Sequence, residues 1–127
     1  MVEHIKIMGT RSSPTVECNP ETLVLHLAGE SYPENTFDFY KPIATWLESV
    51  LDQDDDDRPV TLNVELAYLN TGSIKSMMDM LDRLDEAHED GRVVKVIWLC
   101  DPDNERIIEL AEELLEDVSL PYQIITD

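Results

Sequence analysis

The stretch from Val60 to Tyr68 constrains the fold more than any other. Val60, Leu62, Val64, Leu66 and Tyr68 alternate with Thr61, Asn63 and Glu65. A period of two puts the apolar set on one face of a strand and leaves the other face at least partly wet. Asn70-Thr71-Gly72-Ser73 then makes a sharp exit, and the period changes. Over about residues 73–90, Ile74, Met77, Met78, Leu81, Leu84 and His88 form a helical stripe, with Lys75, Asp79, Asp82, Arg83, Glu86 and Glu89 outside it. Gly91 stands where a left-handed cap is wanted. Val93 to Cys100 is nearly continuous apolar and reads as a central strand. Strand, helix, strand in this order predicts parallel pairing through a right-handed crossover.

The flanking sequence repeats the theme. Leu23, Leu25 and Leu27 share one face of a strand that Gly29 is expected to end. Ser31 to Asn35 reads as a polar turn, in which Pro33 fixes φ and Asn35 or Thr36 starts the next helix. Phe39, Ile43, Trp46, Leu47 and Val50 form the next helical face, and Pro42 predicts that regular helix starts near it. A third helix is expected over about 102–117, capped by Asp101 with Pro102 behind it, burying Ile107, Leu110, Ala111, Leu114 and Val118. Tyr122 to Ile125 closes the chain as a short strand, and the first 20 residues read as short extended pieces. The fold class is therefore α/β: a single domain over 1–127, with a mixed sheet and three main helices covering mainly one face. A length of 127 residues suits one domain.

Charge narrows the function. Acidic residues number 28 against 9 basic ones, a net charge of −19. Nucleic acid and anionic lipid both select positive charge, so neither is an expected partner. A basic partner surface suits this chain. No run of 18 apolar residues spans a membrane, and the start, Met1-Val2-Glu3-His4, lacks a secretory signal pattern. Cys18 and Cys100 lie far apart, which suits reduced thiols in a cytoplasmic protein.

Several chemistries fail on residue type. Asp52, Asp54 and Asp56 imitate the opening of a calcium loop. Asp57 then stands where the loop needs Gly, and Asn63 where it needs Glu. The acidic run reads as a solvated loop. His4, His26 and His88 form no metal-binding pair, so no metal is expected. A phosphoacceptor aspartate is absent, because the strand that would carry it ends Tyr68-Leu69-Asn70-Thr71. There is no GxSxG elbow and no glycine-rich phosphate loop. Neither a catalytic residue nor a cofactor is expected.

What remains is the junction Asn70-Thr71-Gly72-Ser73. Its simplest role is capping, with Thr71 or Ser73 accepting from an early helical amide. It also suits a phosphate, which would face free amides and the positive end of the helix dipole.

Tyr68-Leu69-Asn70-Thr71-Gly72-Ser73-Ile74-Lys75, together with Gly29-Glu30-Ser31-Tyr32-Pro33-Glu34-Asn35, resembles the SiaC family of bacterial regulatory phosphoproteins. The likeness runs from Gly9-Thr10 through Asp103-Asn104-Glu105 and the last helix. It implies a STAS-like domain related in plan to anti-sigma factor antagonists. It implies a Ser/Thr kinase of the anti-sigma-kinase type, a metal-dependent PPM-type phosphatase that reverses it, and an unphosphorylated form that activates a diguanylate cyclase in cyclic-di-GMP signalling, aggregation and biofilm formation. By position, Thr71 becomes the phosphoacceptor with Ser73 in reserve. Asn70 stands where the anti-sigma antagonists carry Asp, and Gly72 where the family is expected to carry Ser.

Asn70, Thr71, Gly72 and Ser73 are thus the expected partner-binding centre, flanked by Tyr32, Pro33 and Glu34. Met77 and Met78 fit the core stripe. Met80 falls off it and is expected at the surface, available to a partner. Two other readings stay open: an anti-sigma factor antagonist, and a small-ligand-binding domain with a concave polar site.

Overall fold

The computed structural model describes residues 3–53 and 55–127. The elements are β1 (Ile5–Ile7), β2 (Thr15–Asn19), β3 (Val24–Ser31), α1 (Thr36–Leu51), β4 (Val60–Leu69), α2 (Thr71–Glu89), β5 (Val94–Cys100), α3 (Glu105–Leu115) and β6 (Tyr122–Thr126). Six strands form one sheet in sequence order. β1, β2 and β3 pair antiparallel, and β3 to β6 pair parallel. Right-handed crossovers between strands laid down in this order put all three helices on one face. Burial follows: Leu25, Leu27, Val60, Leu62, Val64, Leu66, Val94, Val96 and Trp98 pack against Ile43, Leu47, Met77, Leu81, Leu84, Ile107 and Ala111. Thr61, Asn63, Glu65 and Lys95, on the opposite face, stay partly or fully exposed. The mixed α/β architecture with three helices over one face is the one the sequence led us to expect.

Four local expectations fail, each for a physical reason. Pro42 lies inside α1 rather than at its start. Asn35 fixes the start by accepting from the Asp38 amide at 3.1 Å. Asp38 and Pro42 both lie on the exposed side, where water can meet the carbonyl that the missing proline N–H leaves free. Gly29 does not end β3. It sits at φ +113° beside a register shift, where Gly29 pairs Leu66 but Glu30 pairs Tyr68. Ala67 is the extra residue of this bulge, and its carbonyl accepts from Asn104 Nδ2 at 3.0 Å.

The third failure is at α3, where Asn104 and not Asp101 is the cap, accepting from the Ile107 amide at 3.2 Å. Asp101 instead closes a turn by accepting from the Asp103 amide at 2.9 Å. The fourth is Asp56 alone within the acidic loop, where Asp55 and Asp57 are exposed as expected. Asp54 lies outside the described residues, but Asp56 is no free surface charge. Its carboxylate accepts from Arg58 Nη2 at 2.7 Å, Nε at 3.0 Å and the Arg58 amide at 3.1 Å. Those bonds hold its pKa down at about 2. The cap at Gly91 is as expected: φ is +100°, and the Arg92 amide reaches the Ala87 carbonyl at 2.9 Å.

Candidate functional site

The site lies at the ends of β3 and β4, where the chain turns into α1 and α2. Ser31 pairs with Leu69 in the last parallel step, so the turns that follow emerge side by side. The Asn70 amide donates to the Ser31 carbonyl at 2.9 Å. Asn70 then caps α2, its Oδ1 accepting from the Ser73 amide at 2.9 Å. The cap expected of Thr71 or Ser73 is therefore supplied by Asn70. Thr71, the first helical residue, is left exposed with its hydroxyl uncommitted to the helix. The amides of Thr71 and Gly72 belong to the unpaired first turn.

Gly72 has a packing reason. A Cβ there would fall 2.6 Å from Thr36 Oγ1 and 2.9 Å from Thr36 Cβ. The first turns of α1 and α2 touch at this point, and a serine at position 72 meets the same obstacle.

Beneath the turns lies a closed hydroxyl cluster. Ser31 and Ser73 are fully buried. Ser73 Oγ donates to the Ser31 carbonyl at 3.0 Å. The 2.7 Å bond between the two Oγ atoms must then use the Ser31 proton, and the 2.6 Å bond between Ser31 Oγ and Tyr40 OH the tyrosine proton. Three protons serve three bonds. Burial pushes the Tyr40 phenol above its ordinary value, against the opposing effect of the neighbouring Ser31 and Ser73 hydroxyls. Ser73 is thus a structural residue whose hydroxyl is closed to an enzyme, contrary to its expected role as an accessible reserve site.

The outer surface carries an aromatic pair. Tyr32 and Tyr68 meet edge to face with ring centres 5.9 Å apart, and they are 36% and 46% exposed. Tyr68 had been expected on the buried face of β4. The bulge at Ala67 moves the period by one, so Leu69 turns inward and Tyr68 outward. Pro33 is half-buried and Glu34 exposed in the same turn. The structure therefore brings Tyr32, Pro33 and Glu34 to the same end of the sheet as Asn70, Thr71 and Gly72.

Met80 is not part of this surface. It is 3% exposed and belongs to the core, whereas Met78 is 45% exposed. The stripe drawn from the sequence ran through Met77, Met78 and Leu81. The helix is rotated from that, and buries Ser73, Met77, Met80, Leu84 and Ala87 with Leu81. Thr71, Lys75 and Met78 instead follow one another along its outer side. Sequence reasoning missed Ser31, Tyr40, Tyr68, Met78 and the exposed Phe37. An isolated glycine within a strand, Gly29, was the available signal for the bulge.

Among the described residues, no group of three or more His, Cys, Asp or Glu side chains is placed to hold a metal ion, and no helix is long and apolar enough to cross a membrane.

Residues 7–127 match the model of the SiaC family regulatory phosphoproteins. An uncharacterized protein of Pseudomonas aeruginosa strain UCBPP-PA14 is 45% identical over 120 residues, covering 94% of each chain. Crystal structures of Pseudomonas aeruginosa SiaC superpose closely. The one in complex with the diguanylate cyclase SiaD, which SiaC activates, has a TM-score of 0.92 and 44% identity, covering 97% of this chain and 99% of that one. The apo form has a TM-score of 0.90 and 41% identity, covering 98% and 100%. The chain described here belongs to the SiaC family of regulatory phosphoproteins.

Proposed function

We propose that this chain, acting as one domain, is a non-enzymatic adaptor that docks on a diguanylate cyclase, activates it, and is released by phosphorylation of Thr71. The observation that carries the reading is the placement of Thr71. Its hydroxyl is exposed at the start of α2, the cap is already supplied by Asn70, and the Tyr32–Tyr68 pair lies at the same sheet end. A phosphate there changes the surface without opening a buried contact. The likeness to SiaC bound to the cyclase SiaD names the class of partner.

In this scheme an anti-sigma-type kinase moves the γ-phosphoryl group of ATP to Thr71 Oγ1. The hydroxyl proton is lost and ADP leaves. A PPM-type phosphatase hydrolyses the ester with water and releases inorganic phosphate. Both enzymes and the cyclase place the cycle in the cytoplasm, where ATP and GTP are at hand.

The test is cyclic-di-GMP formation by a purified diguanylate cyclase from the same organism, with and without the unmodified protein. A rise that saturates at one adaptor per cyclase site supports the proposal. An unchanged rate with no complex formed overturns it, and binding to an anti-sigma kinase alone would point to the antagonist reading.

A further inference from the structure

We infer that Lys75 relays the state of Thr71 along α2: it pairs with Asp79 while Thr71 is unmodified, and turns back to a phosphate on Thr71 when one is present, leaving Asp79 unpaired. The inference rests on Thr71 as the phosphoacceptor. Lys75 Nζ donates to Asp79 Oδ1 at 2.7 Å across one helical turn. The two side chains are 71% and 61% exposed, so neither is locked by packing. Thr71 lies four residues before Lys75, as Asp79 lies four after. Lys75 therefore has one i,i+4 neighbour on each side.

The two neighbours are unequal. Helical side chains lean toward the N-terminus, and an anion four residues before a lysine pairs better than one four residues after. The unmodified Thr71 offers only a neutral hydroxyl, so the lysine reaches the less favoured way. A phosphate offers about −1.5 to −2 charge on the favoured side. Asp79 and Asp82, both on α2, are the groups acting on the Lys75 charge, and Asp79 raises its pKa.

The consequence is spatial. Thr71 and Asp79 are about 12 Å apart along the axis, and the exposed Met78 lies between them. Losing its lysine restores a full carboxylate charge beside Met78. One modification at the helix start thereby changes the electrostatics of the outer side of α2 for two turns.

The test is the second ionisation of a phosphoserine installed at position 71 during translation, followed by ³¹P NMR in the full chain. Lys75→Gln should raise that pKa by roughly 0.2–0.7 pH units, the scale of an exposed ion pair. Asp79→Asn should lower it, because it frees the lysine. No rise in Lys75→Gln, or a rise in Asp79→Asn, overturns the relay. Because the phosphate is installed without the kinase and read without the cyclase, failure of the adaptor reading leaves this result distinct.

Discussion

The hydroxyl oxygens of Ser31 and Ser73, 42 residues apart in sequence, meet at 2.7 Å in a site closed to solvent. With Tyr40 they tie the end of β3 to the second turn of α1 and the first turn of α2, the three elements that carry the candidate surface. Ser73→Ala leaves the Ser31 hydroxyl without an acceptor. It should cost about 1–3 kcal/mol of stability, the scale of one unsatisfied buried group. Urea denaturation measures this. Kinase treatment of the folded variant should still add one phosphate, read by intact mass, while Thr71→Ala should add none.

Gly72 and Thr36 form a second coupled pair. Gly72→Ala brings a methyl group 2.6 Å from Thr36 Oγ1. It should destabilise the chain even though alanine is the better helix former by about 1 kcal/mol. Thr36→Gly removes the obstacle, so the two substitutions together should cost less than the sum of each alone. A double-mutant cycle by denaturant titration reads the coupling, and strict additivity would show that the two first turns do not press on one another.

Met78 and Met80 separate surface from core. Met80→Ala should lose about 2–5 kcal/mol of stability, as truncations of buried methionine do. Met78→Ser should stay within about 0.5 kcal/mol of the parent and weaken docking on the cyclase. Thermal melts and a binding titration on both variants check the division. A docking defect in Met80→Ala at a temperature where it is fully folded would reverse it.

Asp56 sets a pH dependence. Its folded pKa of about 2 lies below the ordinary 3.8 because Arg58 donates to the carboxylate. A depressed carboxylate contributes stability that is fully present above the unfolded value and is lost as pH falls through the folded one. The stability gap between the parent and Asp56→Asn should therefore be constant above about pH 4 and close between pH 4 and 2.

The sheet and its helices were legible because their signals are periodic and extend over many residues. Val60 to Leu66 alternates strictly, and the helical stripes need only a few apolar anchors each. The site was legible in outline: Thr71 and Tyr32 were placed in turns that the β3–β4 register brings together. What the sequence hid depends on single-residue offsets. One extra residue, Ala67, reverses the facing of Tyr68 and Leu69. A modest rotation of α2 exchanges Met78 for Met80. Ser31 and Ser73 resemble ordinary turn and cap residues until their chains are brought within hydrogen-bond distance. The start at Asn35 was legible in the turn before it, but Asn104 takes the α3 cap three residues after the expected Asp101, whose oxygen is already engaged by the Asp103 amide.

The central claim is that phosphate on Thr71 abolishes docking. A partner seated over Thr71 desolvates the helix start, and a dianion enclosed there with only the single charge of Lys75 beside it keeps uncompensated charge and is strongly disfavoured. The direct measurement is a calorimetric titration of the cyclase with the unmodified chain, the stoichiometrically phosphorylated chain and Thr71→Ala. The account predicts tight binding for the first and third, the third unaffected by kinase treatment. The phosphorylated form should bind at least about 100-fold more weakly, a difference of roughly 2.7 kcal/mol. Equal or tighter binding by the phosphorylated chain would contradict it and would require a cationic pocket on the cyclase that receives the phosphate.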